Sequence, residues 1–274
     1  MIYIGTSGFS YEDWVGPYYP EGLEKKDWLA FYGKEFNTLE INFSYYRMPA
    51  PRTLAQMASK VPANFLFTIK ATQEMTHTRE ADPALFPKFV TAVQPLLQAG
   101  KFGAVLAKFP ASFHHTPENV DYLKAFRQQL LDLPVVVEFR NAQWLNEQTF
   151  QFLQEQQLGF CCVDEPRLKG LLPPVARATS DVAYVRFHGR NAMKWWQHEQ
   201  AYERYDYTYS QQELQEWTPK IENLNAEADK TFVFANNHYR GQGIDTARQL
   251  RSMLQEQGAD VSVPSGGQSS PSLF

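Results

Sequence analysis

Short apolar segments, each rich in β-branched or aromatic residues, recur eight times along the chain. They are IYIGTSGF, TLEINFSYY, FLFTIKAT, GAVLAKFP, VVVEFR, GFCCVDEP, VAYVRFHG and TFVFANNH. Most are separated by segments with apolar residues at helical spacing, such as the one that begins at Thr116 and the one that begins with the capping-box pair Ser210 and Glu213. Eight strands that alternate with helices predict an α/β fold, a single (β/α)₈ TIM barrel, with an open doubly wound sheet as the alternative.

The limits of the barrel follow from where these patterns stop. Residues 1–258 carry the strand and helix pattern, whereas residues 259–274, ending in SVPSGGQSSPSLF, lack it and are predicted to be a flexible tail. Residues 167–181 are rich in Pro and have no amphipathic stripe, so the helix after the sixth strand is predicted to be short or missing.

Polar residues interrupt the seventh strand, VAYVRFHGR, at every second position. Side chains alternate between the two faces of a strand, so Tyr184, Arg186, His188 and Arg190 are predicted to share one face. The same argument on the other strands predicts that further polar side chains point into the barrel, where they would converge at the carboxyl ends of the strands. They are Glu40, Asn42, Lys70, Lys108, Glu138, Arg140, Asp164, Asn236 and His238.

This predicted ring contains more cations than carboxylates. It therefore favours an anionic ligand, such as a phosphate or a carboxylate, even though the chain has a net charge of −4 and a pI of about 5.9. Arg140, Arg186 and Arg190 are predicted to bind the anion, and Lys70 or Lys108 to stabilise negative charge that develops during a reaction. The alternative is structural, because buried charges also pair with one another.

General acid and base candidates are the carboxylates Glu40 and Glu138, with His188 or His238 as alternatives. His77 follows the third strand and is a further candidate for the mouth of the barrel, and Tyr46 is a candidate stacking surface.

A glycine-rich stretch, NNHYRGQG, leads from the eighth strand into the last helix. Gly241 and Gly243, with Asn236 and Asn237 before them, would let backbone N–H groups face a phosphate at a position where many TIM barrels bind one. An ordinary glycine-rich turn explains the stretch equally well.

Several other classes of protein fit the sequence poorly. No strand is followed by a dinucleotide-binding or P-loop motif, and no cofactor is predicted. The carboxylates and histidines lack the spacing of a common metal site, which leaves metal dependence open. The N-terminus lacks the features of a signal peptide, no segment is long and apolar enough for a membrane span, and Cys161 and Cys162 suit reduced core thiols, so a cytoplasmic protein is predicted.

Seven ordered motifs resemble one known family, the YecE-like proteins, over most of residues 2–256. They are GTSGFSYEDW, YYP, LEINFSYYR, FTIKAT with TH after it, VEFRNAQW, YVRFHGR and FANNHYRGQG. The resemblance implies a TIM barrel and a shared pocket but no established reaction. The pocket would comprise Glu40, Asn42, Lys70, His77, Glu138, Arg140, Arg186, His188, Arg190, Asn236 and Asn237.

The sequence as a whole predicts an enzyme that binds a small anionic substrate, phosphorylated or carboxylated, and uses carboxylates as acid and base. Three alternatives stay open. They are a phosphodiester-processing or nucleic-acid-binding barrel, which the acidic net charge does not favour, a glycan hydrolase, and a binding protein without catalysis.

Overall fold

The computed structural model describes residues 1–79 and 82–265 and shows a closed barrel of eight parallel strands. Each strand pairs with the next one in the chain, and β8 pairs with β1 to close the barrel. The TIM-barrel prediction is therefore confirmed. The strands are β1 (Ile2–Ser7), β2 (Thr38–Ile41), β3 (Leu66–Lys70), β4 (Phe102–Lys108), β5 (Val135–Glu138), β6 (Leu158–Asp164), β7 (Val182–Phe187) and β8 (Lys230–Ala235).

Helices follow every strand except β6. Residues 165–181 run from β6 to β7 without a helix, as their composition predicts, whereas a short 3₁₀ helix (Ala201–Tyr205) and two α-helices connect β7 to β8. The helices are α1 (Trp28–Tyr32), α2 (Pro51–Ser59), α3 (Leu85–Gln98), α4 (Pro117–Gln129), α5 (Glu147–Glu155), α6 (Gln211–Gln215), α7 (Thr218–Glu227) and α8 (Gln242–Glu256).

Local signals in the sequence set two of the helix starts. Thr116 accepts a hydrogen bond from the Asn119 backbone N–H and caps α4. Ser210 and Glu213 form the predicted capping box at the start of α6, where each side chain bonds the backbone of the other residue. These caps hold the ends of helices whose apolar sides pack on the barrel.

The outer faces of the strands pack against the helices, and this packing fixes which side chains point inward. Phe187 of β7, for example, contacts the rings of Tyr209 and Trp217 on the helical side. Its neighbour Arg186 consequently points into the barrel, where it is fully enclosed. Cys161 and Cys162 of β6 are both buried free thiols, as predicted.

The first residues beyond 258 lie against the amino-terminal end of the barrel. The Ile2 backbone N–H donates to the Asp260 carbonyl oxygen over 2.9 Å, and the Ser262 backbone N–H donates to the Ile2 carbonyl oxygen over 2.8 Å. Asn37 hydrogen-bonds the Ser262 hydroxyl. Residues 259–265 thus extend the packed structure beyond the predicted boundary, while the rest of the predicted tail, 266–274, lies outside the described residues. Among the described residues, no helix has the length and apolar character needed to cross a bilayer.

Candidate active site

A buried arginine on β7 lies between two buried carboxylates at the centre of the barrel. Arg186 donates from Nε and Nη2 to the two oxygens of Glu40 over 2.9 and 2.7 Å. Its Nη1 donates to Glu138 Oε2 over 2.6 Å. All three side chains are essentially inaccessible to solvent. A buried guanidinium needs such partners, because an unpaired charge in the interior costs several kcal/mol.

Three polar side chains complete this arrangement. The Tyr184 hydroxyl donates to Glu40 Oε2 over 2.7 Å, and Asn236 Oδ1 accepts from Arg186 over 3.3 Å. Because Asn236 then presents its Nδ2 to His188 Nδ1 over 3.0 Å, the proton of His188 lies on Nε2, which donates to Glu138 Oε1 over 3.2 Å. We call Glu40, Glu138, Tyr184, Arg186, His188 and Asn236 the inner network.

The inner network is satisfied, and its members His188 and Glu138 are each held in one charge state. Burial lowers the pKa of His188 well below its usual range, so the ring is neutral. Burial alone would raise the pKa of Glu138, but the charges of Lys108 and Arg186 together with His188 hold that pKa well below its usual range. Glu138 is therefore a permanent carboxylate that holds cations in place.

A second group of charged residues lies towards the carboxyl ends of the strands. Lys108 Nζ is 3.2 Å from Glu138 Oε1, and Arg140 Nη1 is 3.5 Å from the same oxygen and 3.9 Å from Glu165 Oε2. Lys70, at the end of β3, also belongs to this group. We call Lys70, Lys108, Arg140 and Glu165 the mouth cluster.

The mouth cluster, unlike the inner network, contains unsatisfied groups. Neither Arg140 Nη1 nor Glu165 Oε2 has a hydrogen-bond partner, although both atoms are buried. Lys70 has no carboxylate within ion-pair distance among the described residues, and its Nζ lies 4.0 Å from the centre of the Tyr45 ring. Buried polar groups without partners are uncommon, and they are where a ligand can supply the missing hydrogen bonds.

The pKa values of three groups in the mouth cluster, Lys70, Lys108 and Glu165, are shifted towards neutral pH. Burial, with the positive charges of Lys108 and Arg186, lowers the pKa of Lys70 to about 7. Burial lowers the pKa of Lys108 to about 8, although the adjacent Glu138 favours the ammonium form. Burial raises the pKa of Glu165, and the charge of Arg140 opposes this shift.

Two histidines lie beside the mouth of the barrel, and the ring of each contacts a tyrosine ring. His77 lies on a single π-helical turn, Glu74–Thr78, and its ring contacts the Tyr45 ring at 5.1 Å. Burial and the charges of Lys70 and Lys108 lower the pKa of His77 to about 4. His238 is stacked on Tyr11 with ring centres 4.6 Å apart, and burial lowers its pKa. Both rings are therefore neutral near pH 7.

The long segment after β7 folds back over the mouth. Trp195 from this segment is fully buried and lies between two guanidinium groups, 5.6 Å from that of Arg140 and 5.5 Å from that of Arg204. The aromatic face holds Arg140 in position by a cation–π contact. Trp196, the next residue, is 58% exposed.

A cavity of about 320 Å³ opens at the ends of β1 and β2. Its walls are mostly apolar, but they include Asn42, whose Oδ1 is buried without a hydrogen-bond partner. Ile41 pairs with Ile69, so Asn42 and Lys70 are the next residues on two adjacent strands. The cavity is thus one strand away from Lys70, although no residue of the mouth cluster lines it. Its lining residues are Gly8, Phe9, Ser10, Tyr11, Leu39, Glu40, Ile41, Asn42, Phe43, Tyr46 and Met57.

Comparison with known proteins identifies the family. A family model described as "Protein of unknown function DUF72" matches residues 3–271. The chain belongs to this family. The UPF0759 protein YunF of Bacillus subtilis is 33% identical over 270 residues, which cover 93% of the chain and 95% of YunF. The UPF0759 protein YecE of Escherichia coli K12 is 29% identical over 116 residues, or 41% of the chain and 39% of YecE.

Solved structures agree with this assignment. The crystal structure of a DUF72 family protein from Thermotoga maritima superposes with a TM-score of 0.86 at 40% sequence identity, covering 93% of the chain and 99% of that protein. The resemblance to YecE-like proteins is thereby confirmed together with the barrel, and these relatives carry no substrate in their names. Any reaction of this DUF72 protein must therefore be inferred from the side chains at the mouth of its barrel.

The structure of this DUF72 chain brings most of the predicted residues together, but not all. Asp164 points to the helical side, where it accepts hydrogen bonds from Arg190, Tyr209 and Trp217 over 2.6–2.8 Å. Arg190 also bonds Glu216 over 2.8 Å. The placement of Asp164 and Arg190 inside the barrel was therefore wrong, because β6 presents its odd-numbered residues inward and the chain turns at Gly189.

The predicted phosphate site before α8 is also arranged differently. Asn237 Nδ2 donates to the Tyr207 carbonyl oxygen and to the Thr246 hydroxyl, each over 2.9 Å, so this side chain anchors α8 instead of facing the mouth. Asp13 accepts the Arg240 backbone N–H over 2.6 Å. Gly241 has a φ of 81°, which favours glycine, whereas a Cβ at Gly243 would make only an ordinary contact, 3.4 Å from the Asn237 carbonyl oxygen. Gly241 thus has a structural reason.

The alternation of side chains along the strands, which we call parity, did not single out several residues of the site. Glu165 lies in the predicted segment GFCCVDEP, but parity assigned the inward direction to Asp164, and the structure places Glu165 one residue beyond β6, near Arg140. Trp195 comes from a loop without periodicity. Tyr184 was predicted on the face of Arg186 but was given no role in the site. No group of three or more His, Cys, Asp and Glu side chains that could hold a metal ion occurs in the described part of the chain.

Proposed function

We propose that the mouth of this barrel binds a small anionic substrate and that the protein is an enzyme in which the Lys70 amine transfers the proton. The observation that carries the proposal is the isolation of Lys70: it lies inside the barrel without a carboxylate partner among the described residues. A lysine that is desolvated in this way, with a pKa near the working pH, suits general acid–base catalysis.

Charge at the mouth favours an anion. The inner network and mouth cluster together contain four basic side chains, Lys70, Lys108, Arg140 and Arg186, and the three carboxylates Glu40, Glu138 and Glu165. Arg186 is occupied by Glu40 and Glu138, so Lys108 and Arg140 are the cations that remain for a ligand. Their side chains are 15% and 11% exposed, and a substrate oxygen could supply the partner that Arg140 Nη1 lacks.

The carboxylates fit the acid–base role less well than the lysine does. Glu40 uses both oxygens to bind Arg186 and Tyr184, and Glu138 contacts three cations and His188. Protonation of either carboxylate would break the inner network. We therefore assign them the task of holding Arg186 and Lys108 in place, which leaves Lys70 as the reacting group.

The cavity at the ends of β1 and β2 suits the remainder of the substrate. Its mostly apolar walls fit a hydrocarbon or ring portion, and the Asn42 amide oxygen is available for one hydrogen bond. The preferred substrate class is thus a small molecule with one anionic group and one mainly apolar portion.

The anion site is tested by thermal unfolding in phosphate at constant ionic strength, with a chloride reference and neutral sugars in parallel. Ligand at about 100 times its Kd adds roughly 2.7 kcal/mol of stability. We expect phosphate to raise the Tm of the wild type and to have little effect on Arg140→Met. Arg190→Met is the matched control and should keep the phosphate effect, because Arg190 pairs with Asp164 on the helical side of the barrel.

Three results would contradict the proposal. Stabilisation by neutral sugars alone would favour a glycan site, and an equal phosphate effect in wild type and Arg140→Met would place the anion elsewhere. A bound ligand with no turnover of any small anion, and binding unchanged in Lys70→Met, would indicate a binding protein.

A further inference from the structure

The two lysines of the mouth cluster differ in their partners. Lys108 is the register partner of Glu138 across β4 and β5, and its Nζ lies 3.2 Å from that carboxylate. Lys70 is the register partner of Leu106, two residues before Lys108 on the same face of β4. Lys108 is therefore kept as an ammonium by its carboxylate, and its charge acts on a neighbouring amine that has no carboxylate of its own in the described structure.

We propose that Lys70 is a nucleophile that forms a Schiff base with an aldehyde or ketone bearing a carboxylate or phosphate group. This inference rests on the anion site of the proposed function, since Lys108 and Arg140 would hold the anionic group, and it replaces proton transfer by Lys70 with a covalent role. It goes further in naming a covalent step and a carbonyl substrate class.

The step requires no external oxidant or reductant. The lone pair of neutral Lys70 Nζ forms a bond to the carbonyl carbon, and the carbonyl oxygen takes a proton to give a carbinolamine. Nζ loses a proton and the hydroxyl leaves as water once it is protonated, which gives the iminium ion. This cation withdraws electrons from the adjacent carbon, so a C–H or C–C bond there can break, and water later releases the product and the free amine.

The surroundings of Lys70 suit each requirement of this chemistry. Lys70 is the last residue of β3, so a rigid strand places its amine, and the inner network closes the barrel beneath it. The Lys108 ammonium is a proton donor for the departing hydroxyl. Neutral His77 contacts the same Tyr45 ring as the amine does, so the amine has uncharged aromatic neighbours on this side.

Reductive trapping tests the proposal directly. The full chain is incubated at pH 7 with glyoxylate, pyruvate or glyceraldehyde 3-phosphate and sodium cyanoborohydride, and the adduct is located by peptide mass spectrometry. We expect a single adduct on Lys70 with at least one of these compounds. It should form on the order of 100-fold faster than on an exposed lysine such as Lys88, because roughly 1,000-fold more of Lys70 than of an ordinary lysine is uncharged at this pH, whereas the less basic amine is less nucleophilic.

Matched variants identify the reacting amine. Lys70→Arg should abolish the fast adduct, and Lys88→Arg should leave it unchanged, with circular dichroism confirming that both are folded. Lys108→Met should slow trapping at Lys70 at pH 7, because removal of the neighbouring positive charge leaves more of Lys70 protonated. Adducts spread over surface lysines, or a fast adduct that persists in Lys70→Arg, would overturn the proposal.

A neutral carbonyl, glycolaldehyde, separates the two hypotheses. Fast trapping of Lys70 by glycolaldehyde but by none of the anionic compounds would support the nucleophile and contradict the anion site. Stabilisation by phosphate that depends on Arg140, with no adduct on Lys70 from any carbonyl compound, would support the anion site and overturn the Schiff base.

Discussion

The inner network and the mouth cluster lie next to each other in one barrel. The buried charges of the inner network are fully paired, whereas some buried groups of the mouth cluster have no partner. In the inner network, Arg186 has two carboxylate partners and each carboxylate oxygen has a donor. In the mouth cluster, Lys70 has no ion pair among the described residues, and Arg140 Nη1 and Glu165 Oε2 lack hydrogen bonds.

This difference separates structural charge from reactive charge. A buried ion pair with all its hydrogen bonds made holds its members in one protonation state, so it organises the site without exchanging protons. A buried group without partners has a shifted pKa, and its donor or acceptor is free to bind a ligand. The polar residues inside the barrel therefore form two groups. The inner network is structural, and it holds the side chains of the mouth cluster in place.

The most severe test of the inner network is removal of its cation. Arg186→Met leaves Glu40 and Glu138 buried with fewer compensating charges, so we expect a loss of about 3–5 kcal/mol in the free energy of unfolding. Urea denaturation measures it. A loss below about 1 kcal/mol would show that these carboxylates find other partners and that the network is not structural.

The outer cluster around Asp164 provides a second, smaller test. Asp164→Asn keeps the shape but weakens the acceptor for Arg190, Tyr209 and Trp217, and we expect a loss of about 2 kcal/mol. Because this cluster lies on the helical side, phosphate-dependent stabilisation should be retained in the variant. Loss of that stabilisation would join the outer cluster to the mouth and contradict the separation.

Substitution of Lys70 should stabilise the protein, in contrast to the substitutions of Arg186 and Asp164. Its pKa in the folded protein is about 7, against 10.5 for an ordinary lysine, so the cost of burying its charge is fully present below pH 7 and is lost as pH rises to 10.5. We expect Lys70→Met to be about 1 kcal/mol more stable than wild type at pH 6, after loss of the contact with Tyr45. The advantage should shrink by pH 10, as measured by denaturation at both values. A constant difference would mean that Lys70 is not desolvated.

The smallest effect is expected at a surface pair. Arg177 donates to Glu147 over 2.7 Å, but both side chains are largely solvated. Arg177→Ala should change the free energy of unfolding by less than about 1 kcal/mol, and the change should decrease in high salt. A larger loss would indicate that the cation–π contact of Arg177 with Phe150 is the dominant interaction.

Much of the barrel and its inner network could be predicted from the sequence, because apolar and polar residues alternate clearly on most strands. Glu40, Lys70, Lys108, Glu138 and Arg186 all lie inside the barrel, as parity predicts. The hydrogen bonds and ion pairs of the inner network could not be predicted, since parity shows which face of a strand a side chain lies on but not which residue it contacts.

Parity failed where the strand is apolar on both faces. The run FCCVDE of β6 is buried throughout, so its pattern does not indicate which of Asp164 and Glu165 points inward. Packing decides this, because Trp217 and Tyr209 on the helical side bind Asp164. Gly189, with a φ of 86°, likewise turns the chain before Arg190 and ends the alternation.

The most direct test of the account is the titration of Lys70 itself. NMR spectra of the protein with ¹³C-labelled lysine side chains, recorded from pH 5 to pH 11, follow each lysine separately, and Lys70→Arg assigns the resonance of interest. We expect the Lys70 resonance to titrate with a pKa of about 7, and bound phosphate to raise this value. A Lys70 resonance that titrates above pH 10 would rule out a reactive Lys70, since a solvated ammonium would be neither a proton carrier nor a nucleophile near neutral pH.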